Sequence, residues 1–310
     1  MKIMITGGAG FIGSHVADAF IRAGHEIIIV DNLSTGYLKN VNPQARFYNL
    51  DICDPALDQL FAEEKPDIVD HHAAQISVPL SVEEPLKDVQ TNVLGLVNLL
   101  QCCAKHSVKK VIYISSGGAM YGEAEEYPTS ETYTPTPLSV YAINKMVGED
   151  YLHYYRHQYG IQYTVLRYAN VYGPRQVSHG EAGVVSLFIE KLLSGFIPMV
   201  YRYDGEPEGM VRDYVFVGDC VRANLLALKN GNNTAFNIGT CIETTTLALF
   251  KEISSQLNLD LEPGYGPARK GDLHRSLLNI SKAERVLGWK PQTPLREGIK
   301  QTISYFREKI

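Results

Sequence analysis

The 310-residue sequence predicts an α/β fold, a doubly wound parallel sheet followed by a smaller α/β C-terminal substrate lobe. Two observations support this prediction. Short apolar runs alternate with helical patterns through the first half of the chain, as βαβ units require. After about Gly173, shorter segments separated by loop-like stretches replace these units. We therefore divide the chain into residues 1–173 and a lobe of residues 174–310 that is interleaved with them.

Strands and helices are predicted to alternate through the first half. Glu26–Val30 contains an unbroken β-branched run, typical of a strand that is covered on both faces. Each crossover is expected to be right-handed, which places helices on both sides of a single sheet. The predicted strands are Lys2–Thr6, Glu26–Val30, Arg46–Leu50, Ile68–His71, Lys110–Ser115 and Gln162–Arg167. The predicted helices are Ile12–Ala23, Asp58–Glu64, Asn92–His106 and Tyr141–Tyr159.

The second half is predicted to contain fewer regular elements. Apolar helices are predicted at Leu187–Leu193, Val221–Lys229 and Leu247–Gln256, and loops at Pro174–Gly183, Tyr203–Gly209 and Pro263–Gly271. The segment from Ser281 to Pro291 predicts a helix start, a stop at Gly288 and a packed Trp289. We interpret this last segment as structural.

The composition argues against several classes of function. A formal net charge of -5 without a basic stripe disfavours nucleic-acid binding. No apolar run approaches the roughly 20 residues that cross a bilayer. Because Met1 leads directly into a predicted strand, we expect no secretion signal and a cytoplasmic location. The 5 cysteines have no ligand spacing, so we expect reduced thiols and no metal site.

A glycine-rich turn directly follows the first predicted strand. Gly7, Gly10 and Gly13 supply a tight turn, a close approach for a pyrophosphate and a close contact between helix and strand. Free N–H groups at the start of the next helix attract phosphate. Asp31 ends the second strand, where a carboxylate can accept both ribose hydroxyls of NAD and repels the additional phosphate of NADP. The sequence therefore predicts a Rossmann-type site for NAD.

Tyr141 and Lys145 lie four positions apart on a predicted helix, so both face the same side. A free phenol has a pKa of about 10 and is a poor base at neutral pH. A nearby ammonium and a positively charged nicotinamide both favour the phenolate. We therefore predict that Tyr141 is a catalytic acid/base and that Lys145 is its electrostatic partner, which also contacts the nicotinamide ribose.

These motifs resemble the extended short-chain dehydrogenase/reductase family, and the resemblance covers nearly the whole chain. Asp51-Ile52 matches the adenine-contacting acid, and Ala73-Ala74-Gln75 matches the turn beside the cofactor ribose. Asn92 matches a structural asparagine that opens a helix, and Tyr168 matches a residue lining the nicotinamide. The cofactor-binding residues that the motifs and the resemblance imply together are Gly7, Gly10, Phe11, Ile12, Gly13, Asp31, Asn32, Asp51, Ile52, Ala73, Ala74, Gln75, Asn92, Ser115, Tyr141, Lys145 and Tyr168.

The segment Ser115–Gly122 resembles the strand-end loop of that family. Its third residue is usually a Ser or Thr that hydrogen-bonds the reacting hydroxyl, but here it is Gly117. Ser116 or a water could replace the missing hydroxyl, or Tyr141 could act with less help. The dehydratases of the family carry an acidic pair at Gly118 and Ala119, and the decarboxylases carry a glutamate at the second position. The resemblance therefore implies epimerisation, which needs neither acid.

The resemblance also implies a UDP-sugar site in the second half. Arg212 and Arg269 match two arginines that bind the pyrophosphate, and Asp272 matches an acid that accepts the uridine ribose hydroxyls. A planar guanidinium fork suits a diphosphate better than an ammonium does. The implied substrate-binding residues are Ser77, Gly117, Tyr141, Asn170, Val184, Val185, Arg212, Arg269, Asp272 and Ser276.

Ser276 bears on the size of the sugar. In related UDP-hexose epimerases, the residue four positions after the ribose-binding acid lies at the C2 substituent, where a bulky aromatic excludes an N-acetyl group. A serine leaves that volume open. The resemblance thus implies a UDP-hexose 4-epimerase that interconverts UDP-glucose and UDP-galactose, and also UDP-GlcNAc and UDP-GalNAc. It further implies a homodimer, formed when Asn92–His106 and Tyr141–Tyr159 pair as a four-helix bundle.

Alternatives remain open from the sequence, and a net oxidoreductase that releases NADH is the less favoured among them. A UDP-hexuronate 4-epimerase would need a cationic pocket for a carboxylate, which Arg175 and His179 could supply. An NAD-binding regulatory or scaffold protein with impaired catalysis would agree with the missing hydroxyl at Gly117. Tyr141 and Lys145 argue against this last alternative.

Overall fold

A seven-stranded parallel sheet forms the centre of the computed structural model, which describes residues 1–177, 183–269 and 271–308. Its strand order is β7-β6-β5-β4-β1-β2-β3, with helices on both faces, so the predicted doubly wound sheet is confirmed. The strands are β1 (Lys2–Thr6), β2 (Glu26–Asp31), β3 (Arg46–Asn49), β4 (Ile68–His71), β5 (Lys110–Ser116), β6 (Gln162–Tyr168) and β7 (Thr234–Ile238). The seventh strand was not predicted; it follows residue 173 and pairs with β6.

Helix boundaries fall at residues whose chemistry favours the start or the end of a helix. For the long helix α7, the Ser139 side chain accepts a hydrogen bond from the Ala142 amide, and Gly160 ends the helix at a φ of 77°. The helices are α1 (Phe11–Arg22), α2 (Leu57–Glu64), α3 (Val78–Glu83), α4 (Pro85–Val89), α5 (Gly95–Lys105), α6 (Gly117–Met120), α7 (Val140–Tyr159), α8 (Val184–Leu193), α9 (Val217–Ala227), α10 (Thr246–Gln256) and α11 (Leu295–Arg307).

Alternate residues of the sheet contribute to two separate apolar cores. Ile3 and Ile5 of β1 face the side on which α1 packs against α9. Met4 faces the opposite side, together with residues of α5 and α7. This alternation follows from the period of two along a strand, and both faces are covered, as the apolar runs predicted.

The C-terminal lobe has its own apolar core, built from α8, α10 and α11. Short strand pairs border it: Asn170–Tyr172 with Tyr214–Phe216, Val211–Arg212 with Thr244–Thr245, and Met199–Arg202 with Gly264–Pro267. Trp289 is 1% exposed and donates its indole N–H to the Asp219 carbonyl at 2.8 Å. The prediction of a packed Trp289 is confirmed, as is the stop at Gly288, which has a φ of 71°.

Several local features differ from the predictions. The predicted loop at Pro263–Gly271 contains a strand, because pairing with Met199–Arg202 overrides the low β-propensity of Gly264–Pro267. The predicted helix at Asn92–His106 begins as a π-helical turn, Gln90–Leu94, before α5. The loop at Gly117 is a helical turn, α6, and α11 was missed although its apolar residues recur at helical spacing. No helix in the described ranges is long and apolar enough to cross a membrane.

Candidate active site

The glycine turn packs tightly against the segment that follows β4. A Cβ on Gly7 would lie 2.6 Å from the Ala73 amide nitrogen, and Gly7 has a φ of 70°. A Cβ on Gly13 would lie 2.4 Å from the Gly7 carbonyl oxygen. Gly10 precedes α1 without a side-chain cap, so the first amides of this 12-residue helix have no side-chain acceptor there. The turn therefore has the shape and the polarity that a dinucleotide pyrophosphate needs.

Two carboxylates stand at the ends of the neighbouring strands. Asp31, at the end of β2, accepts the backbone N–H groups of Ala9 at 2.9 Å and Leu33 at 2.8 Å. Asp51 follows β3 and accepts the Asn32 side-chain amide at 2.7 Å. Burial alone would raise the pKa of Asp51, but hydrogen bonds from Cys53 and Asn32 hold it below its usual value. Both acids are thus fixed at the edge where a dinucleotide's ribose and adenine are expected.

The turn after β4 is fixed by Asn92. Its side chain accepts the Gln75 amide at 3.0 Å and donates to the Gln75 carbonyl at 2.9 Å. Asn92 is only 3% exposed, so its side chain holds the turn and presents little surface to a ligand. Thr6 also contacts this turn, since its hydroxyl accepts the Ala73 amide at 3.3 Å. Ile52, 4% exposed, packs at the start of α5.

Tyr141, Lys145 and Ser116 come together at the carboxyl end of β5. The Ser116 side chain lies near the Tyr141 phenol and lowers its pKa. The Lys145 ammonium lies 5.9 Å from the Tyr141 ring centroid, 5.2 Å from the Tyr113 ring centroid, and donates to the Ile114 carbonyl at 2.9 Å. Both members of the predicted pair therefore face the end of the sheet, and the Ser116 hydroxyl lies near the phenol of Tyr141.

The protonation of this pair differs from the sequence-based expectation. Burial raises the pKa of Tyr141 to about 12, although the Ser116 side chain lowers it. Burial also lowers the pKa of Lys145 to about 8. The low-dielectric surroundings thus favour the neutral form of each group, and the chain's own charges do not produce the phenolate.

A buried ion pair, which the sequence analysis did not predict, joins the catalytic helix α7 to β6. Arg167, near the end of β6, donates to the Glu149 carboxylate at 2.7 Å and 3.0 Å. The Ser115 hydroxyl donates to the same carboxylate at 2.7 Å, so this predicted cofactor residue contacts the ion pair. A signal was available, because Glu149 follows Tyr141 and Lys145 at intervals of four along one face of α7.

The missing hydroxyl at Gly117 has a structural counterpart. A Cβ on Gly117 would lie 2.7 Å from the Leu278 side chain, so an apolar group fills the space of the usual Ser or Thr. Asn170 faces the next residue, since a Cβ on Gly118 would lie 3.3 Å from its Oδ1. That oxygen is buried and makes no hydrogen bond within the described part of the chain. A buried carbonyl without a donor is suited to bind a ligand group.

The residues predicted to bind the nucleotide form a second group in the C-terminal lobe. The Arg212 guanidinium donates to the Val211 carbonyl at 2.9 Å, and the Arg269 guanidinium lies 3.9 Å from the Tyr201 ring centroid. The Asp272 carboxylate accepts the Arg269 amide at 3.1 Å. This nucleotide group adjoins the catalytic group around Tyr141. The backbone amide of Asn170 donates to the backbone carbonyl of Asp213, the neighbour of Arg212, at 2.9 Å.

The remaining predicted substrate residues differ in how much side chain they expose. Ser77 caps α3 and is partly buried, and Ser276 is 6% exposed. Val184 begins α8, whereas Val185 is 1% exposed in the C-terminal core, which leaves mainly its backbone amide for a ligand. Tyr168 is likewise buried, and its hydroxyl accepts the Asn224 amide.

The described residues give little support to a hexuronate pocket. Arg175 pairs with Asp18 of α1 at 2.8 Å, which offsets its charge, although its buried Nη1 makes no hydrogen bond in the described ranges. His179 lies outside the described residues. Within the described ranges, no group of three or more His, Cys, Asp or Glu side chains could hold a metal ion.

Comparisons with known proteins agree with this geometry. Residues 3–239 match the model of the NAD dependent epimerase/dehydratase family. The UDP-glucose 4-epimerase of Mycolicibacterium smegmatis is 43% identical over 315 residues, covering 100% of this chain and 99% of that protein. The crystal structure of the Thermotoga maritima UDP-glucose 4-epimerase with UDP-glucose has a TM-score of 0.97 and 48% identity, covering 100% and 99% of the two chains.

A third relative acts on an acetylated sugar. The UDP-N-acetylglucosamine 4-epimerase of Methanobrevibacter ruminantium, solved with UDP-N-acetylmuramic acid, has a TM-score of 0.93 and 35% identity, covering 100% of this chain and 99% of that one. The resemblance to the extended short-chain dehydrogenase/reductases and the predictions of an enzyme and of NAD are confirmed. The glycine turn, the two carboxylates and the tyrosine–lysine helix therefore belong to an enzyme of the NAD dependent epimerase/dehydratase family.

Proposed function

We propose that this enzyme is a UDP-hexose 4-epimerase that interconverts UDP-glucose and UDP-galactose. The observation that carries the proposal is the phenol of Tyr141, which lies beside Lys145 and near the Ser116 side chain at the end of a dinucleotide-binding sheet. The two arginines that are predicted to bind the nucleotide, and Asp272, lie in the adjoining lobe. These side chains can hold a UDP-sugar by its pyrophosphate and its uridine ribose.

The chemistry needs one proton to move and return. NAD, when bound between the glycine turn and the catalytic helix, supplies a hydride acceptor and later a donor. Tyr141 takes the proton of the sugar's C4 hydroxyl as that carbon is oxidised, and gives it back after the ring has turned, so the net change is an inversion. Ser116 orients the phenolic oxygen. Neither Gly118 nor Ala119 has an acidic or basic side chain that could transfer a proton, and this disfavours dehydration and decarboxylation.

The proposal is tested by incubating the purified protein with UDP-glucose without added NAD and separating the products by anion-exchange chromatography. Formation of UDP-galactose supports the proposal, since the bound cofactor is regenerated in each cycle. NAD binding without turnover of UDP-glucose, UDP-GlcNAc or UDP-glucuronate would instead support a regulatory or scaffold protein. Turnover of UDP-glucuronate alone would support the hexuronate epimerase.

We further propose that the enzyme accepts UDP-GlcNAc, because Ser276 is small. We expect wild-type protein to turn over UDP-GlcNAc and UDP-glucose at rates within about tenfold of each other. In Ser276→Tyr, the ring fills the space of the acetamide, so turnover of UDP-GlcNAc falls by about tenfold or more relative to UDP-glucose. Ser276→Ala is the matched control and keeps both activities. A wild-type protein that strongly prefers the non-acetylated sugar would contradict the proposal.

We also propose a homodimer. The helices α5 and α7 pack together, and apolar side chains beside and on them lie at the surface, among them Leu94 of the π-helical turn before α5 at 58% and Tyr154 of α7 at 51% exposure. Pairing of these helices across a two-fold axis would bury both. Light scattering should give twice the protomer mass of 34.5 kDa, and Tyr154→Asp should reduce it to one protomer. Phe196→Asp, which changes an exposed apolar residue of the other lobe, should leave the dimer intact. A single-protomer mass for the wild type would refute this.

A further inference from the structure

A fully buried carboxylate joins the cofactor turn to the catalytic helix. Asp88 of α4 is 0% exposed and accepts three side-chain amide hydrogen bonds. Its Oδ1 accepts from Asn92 at 2.9 Å and from Asn144 at 2.7 Å, and its Oδ2 accepts from Gln75 at 2.6 Å. Gln75 belongs to the turn after β4, and Asn144 precedes Lys145 on α7. We call these four residues the Asp88 cluster.

The charge of Asp88 has a partner only at a distance. No ammonium or guanidinium in the described ranges forms an ion pair with it. A buried carboxylate is costly without a countercharge, even when its oxygens are hydrogen-bonded. Asn144 donates to Asp88 and is followed on α7 by Lys145, whose pKa burial lowers and the Asp88 carboxylate raises. The contacts that the described residues give the Lys145 ammonium are the Ile114 carbonyl and the rings of Tyr113 and Tyr141.

We propose that Asp88 is a positioning residue for the catalytic pair, holding Lys145 as an ammonium and fixing the catalytic helix to the cofactor turn through Gln75 and Asn144. The inference rests on the proposed function, because it gives Tyr141 and Lys145 their roles. It goes beyond that function by assigning a task to a residue that touches neither member of the pair directly.

The electrostatic consequence has a definite sign. The negative charge of Asp88 raises the pKa of Lys145 and adds to the raised pKa of Tyr141. Among the described residues, other titratable groups near the pair are Tyr113 and His71, and the Glu149–Arg167 ion pair lies one turn further along α7. Burial keeps His71 neutral by lowering its pKa, and Lys145 lowers that pKa further, while burial keeps Tyr113 protonated. Removing the charge of Asp88 therefore lowers the pKa of both Tyr141 and Lys145.

The test compares Asp88→Asn with Asn144→Ala. Asp88→Asn removes the charge at nearly constant volume, so both limbs of the pH profile of kcat should move to lower pH by about one unit. The NAD content per protomer, measured after denaturation, should also fall, because Gln75 loses its acceptor. Asn144→Ala breaks one hydrogen bond of the Asp88 cluster but keeps the charge of Asp88. The two limbs of its pH profile of kcat should therefore not move to lower pH.

The outcomes separate electrostatic from merely structural effects. A uniform loss of kcat in Asp88→Asn, with both limbs unmoved and NAD retained, overturns the inference. Should the Asn variant fail to fold, Asp88→Ser, which leaves room for a water among the three amides, is read in the same way. If the wild-type protein itself turns over no UDP-sugar, the proposed function fails, and NAD content alone then decides: unchanged content in Asp88→Asn overturns the inference and a fall supports it.

Discussion

Tyr141→Phe should lower kcat by about 10²- to 10⁴-fold, the usual contribution of a positioned acid/base. The phenylalanine ring keeps the shape of the side chain but removes the oxygen that takes and returns the proton of the C4 hydroxyl. We expect KM and the NAD content to stay near the wild-type values, because the phosphate-binding groups are unchanged. The measurement is the initial rate of UDP-galactose formation from UDP-glucose, with NAD released by denaturation and quantified.

Tyr155→Phe provides the matched control for this prediction. Tyr155 lies on the same helix and is buried, but it stands 14 residues, or about 21 Å, further along α7 than Tyr141. We expect this variant to keep wild-type kcat. Retention of full activity by Tyr141→Phe would remove the basis of the proposed mechanism, whatever the behaviour of the control.

The site has consequences for how the phenol is activated. In the protein alone, burial raises the pKa of Tyr141 to about 12, so the group is protonated at neutral pH. The buried Lys145 has a pKa of about 8, and its charge is therefore sensitive to its surroundings near neutral pH. The positive charge of an oxidised nicotinamide beside the phenol would favour the phenolate, as would the Lys145 ammonium. The site is therefore expected to depend on its bound cofactor for a competent base.

The parts of the site that the sequence predicted are those that lie close together along the chain. The spacing of Gly7, Gly10 and Gly13 and that of Tyr141 and Lys145 carry their meaning within a single turn or helix. The predicted strands also matched closely, because each is a short apolar run between loops. β7 escaped prediction because Thr234–Ile238 becomes a strand only by pairing with the edge of β6.

Contacts between distant segments could not be read from local patterns. Asp88 meets Asn144 across 56 positions, and nothing in the polar segment Lys87–Asn92 indicates that the carboxylate is fully buried. The filling of the Gly117 space by Leu278 is similar, since the two residues lie far apart along the chain. The sequence revealed that a hydroxyl was missing, but the structure identifies the Leu278 side chain as the group that occupies its place.

The largest effect on stability is expected from Glu149→Ala. The side chains of Glu149 and Arg167 are 13% and 11% exposed, and Ser115 and Tyr121 also bind the pair. Burial alone would lower the pKa of Arg167, but the Glu149 carboxylate raises it above its usual value, so the guanidinium stays charged. Without Glu149 that charge is buried and unpaired, and the free energy of unfolding should fall by about 3–5 kcal/mol, as measured by urea denaturation.

Replacing both members of the pair distinguishes a buried ion pair from ordinary packing. In Glu149→Met combined with Arg167→Met, no charge is left uncompensated, and the two thioether side chains approximate the volume removed. We therefore expect the double variant to be more stable than Glu149→Ala, although it loses both charged groups. If Glu149→Ala instead costs less than about 1 kcal/mol, as at an exposed pair, water must reach Arg167. The ion pair would then contribute little to fixing α7 against the ends of β5 and β6, and the bond from Lys145 to the Ile114 carbonyl and the Asp88 cluster would position Tyr141 without it.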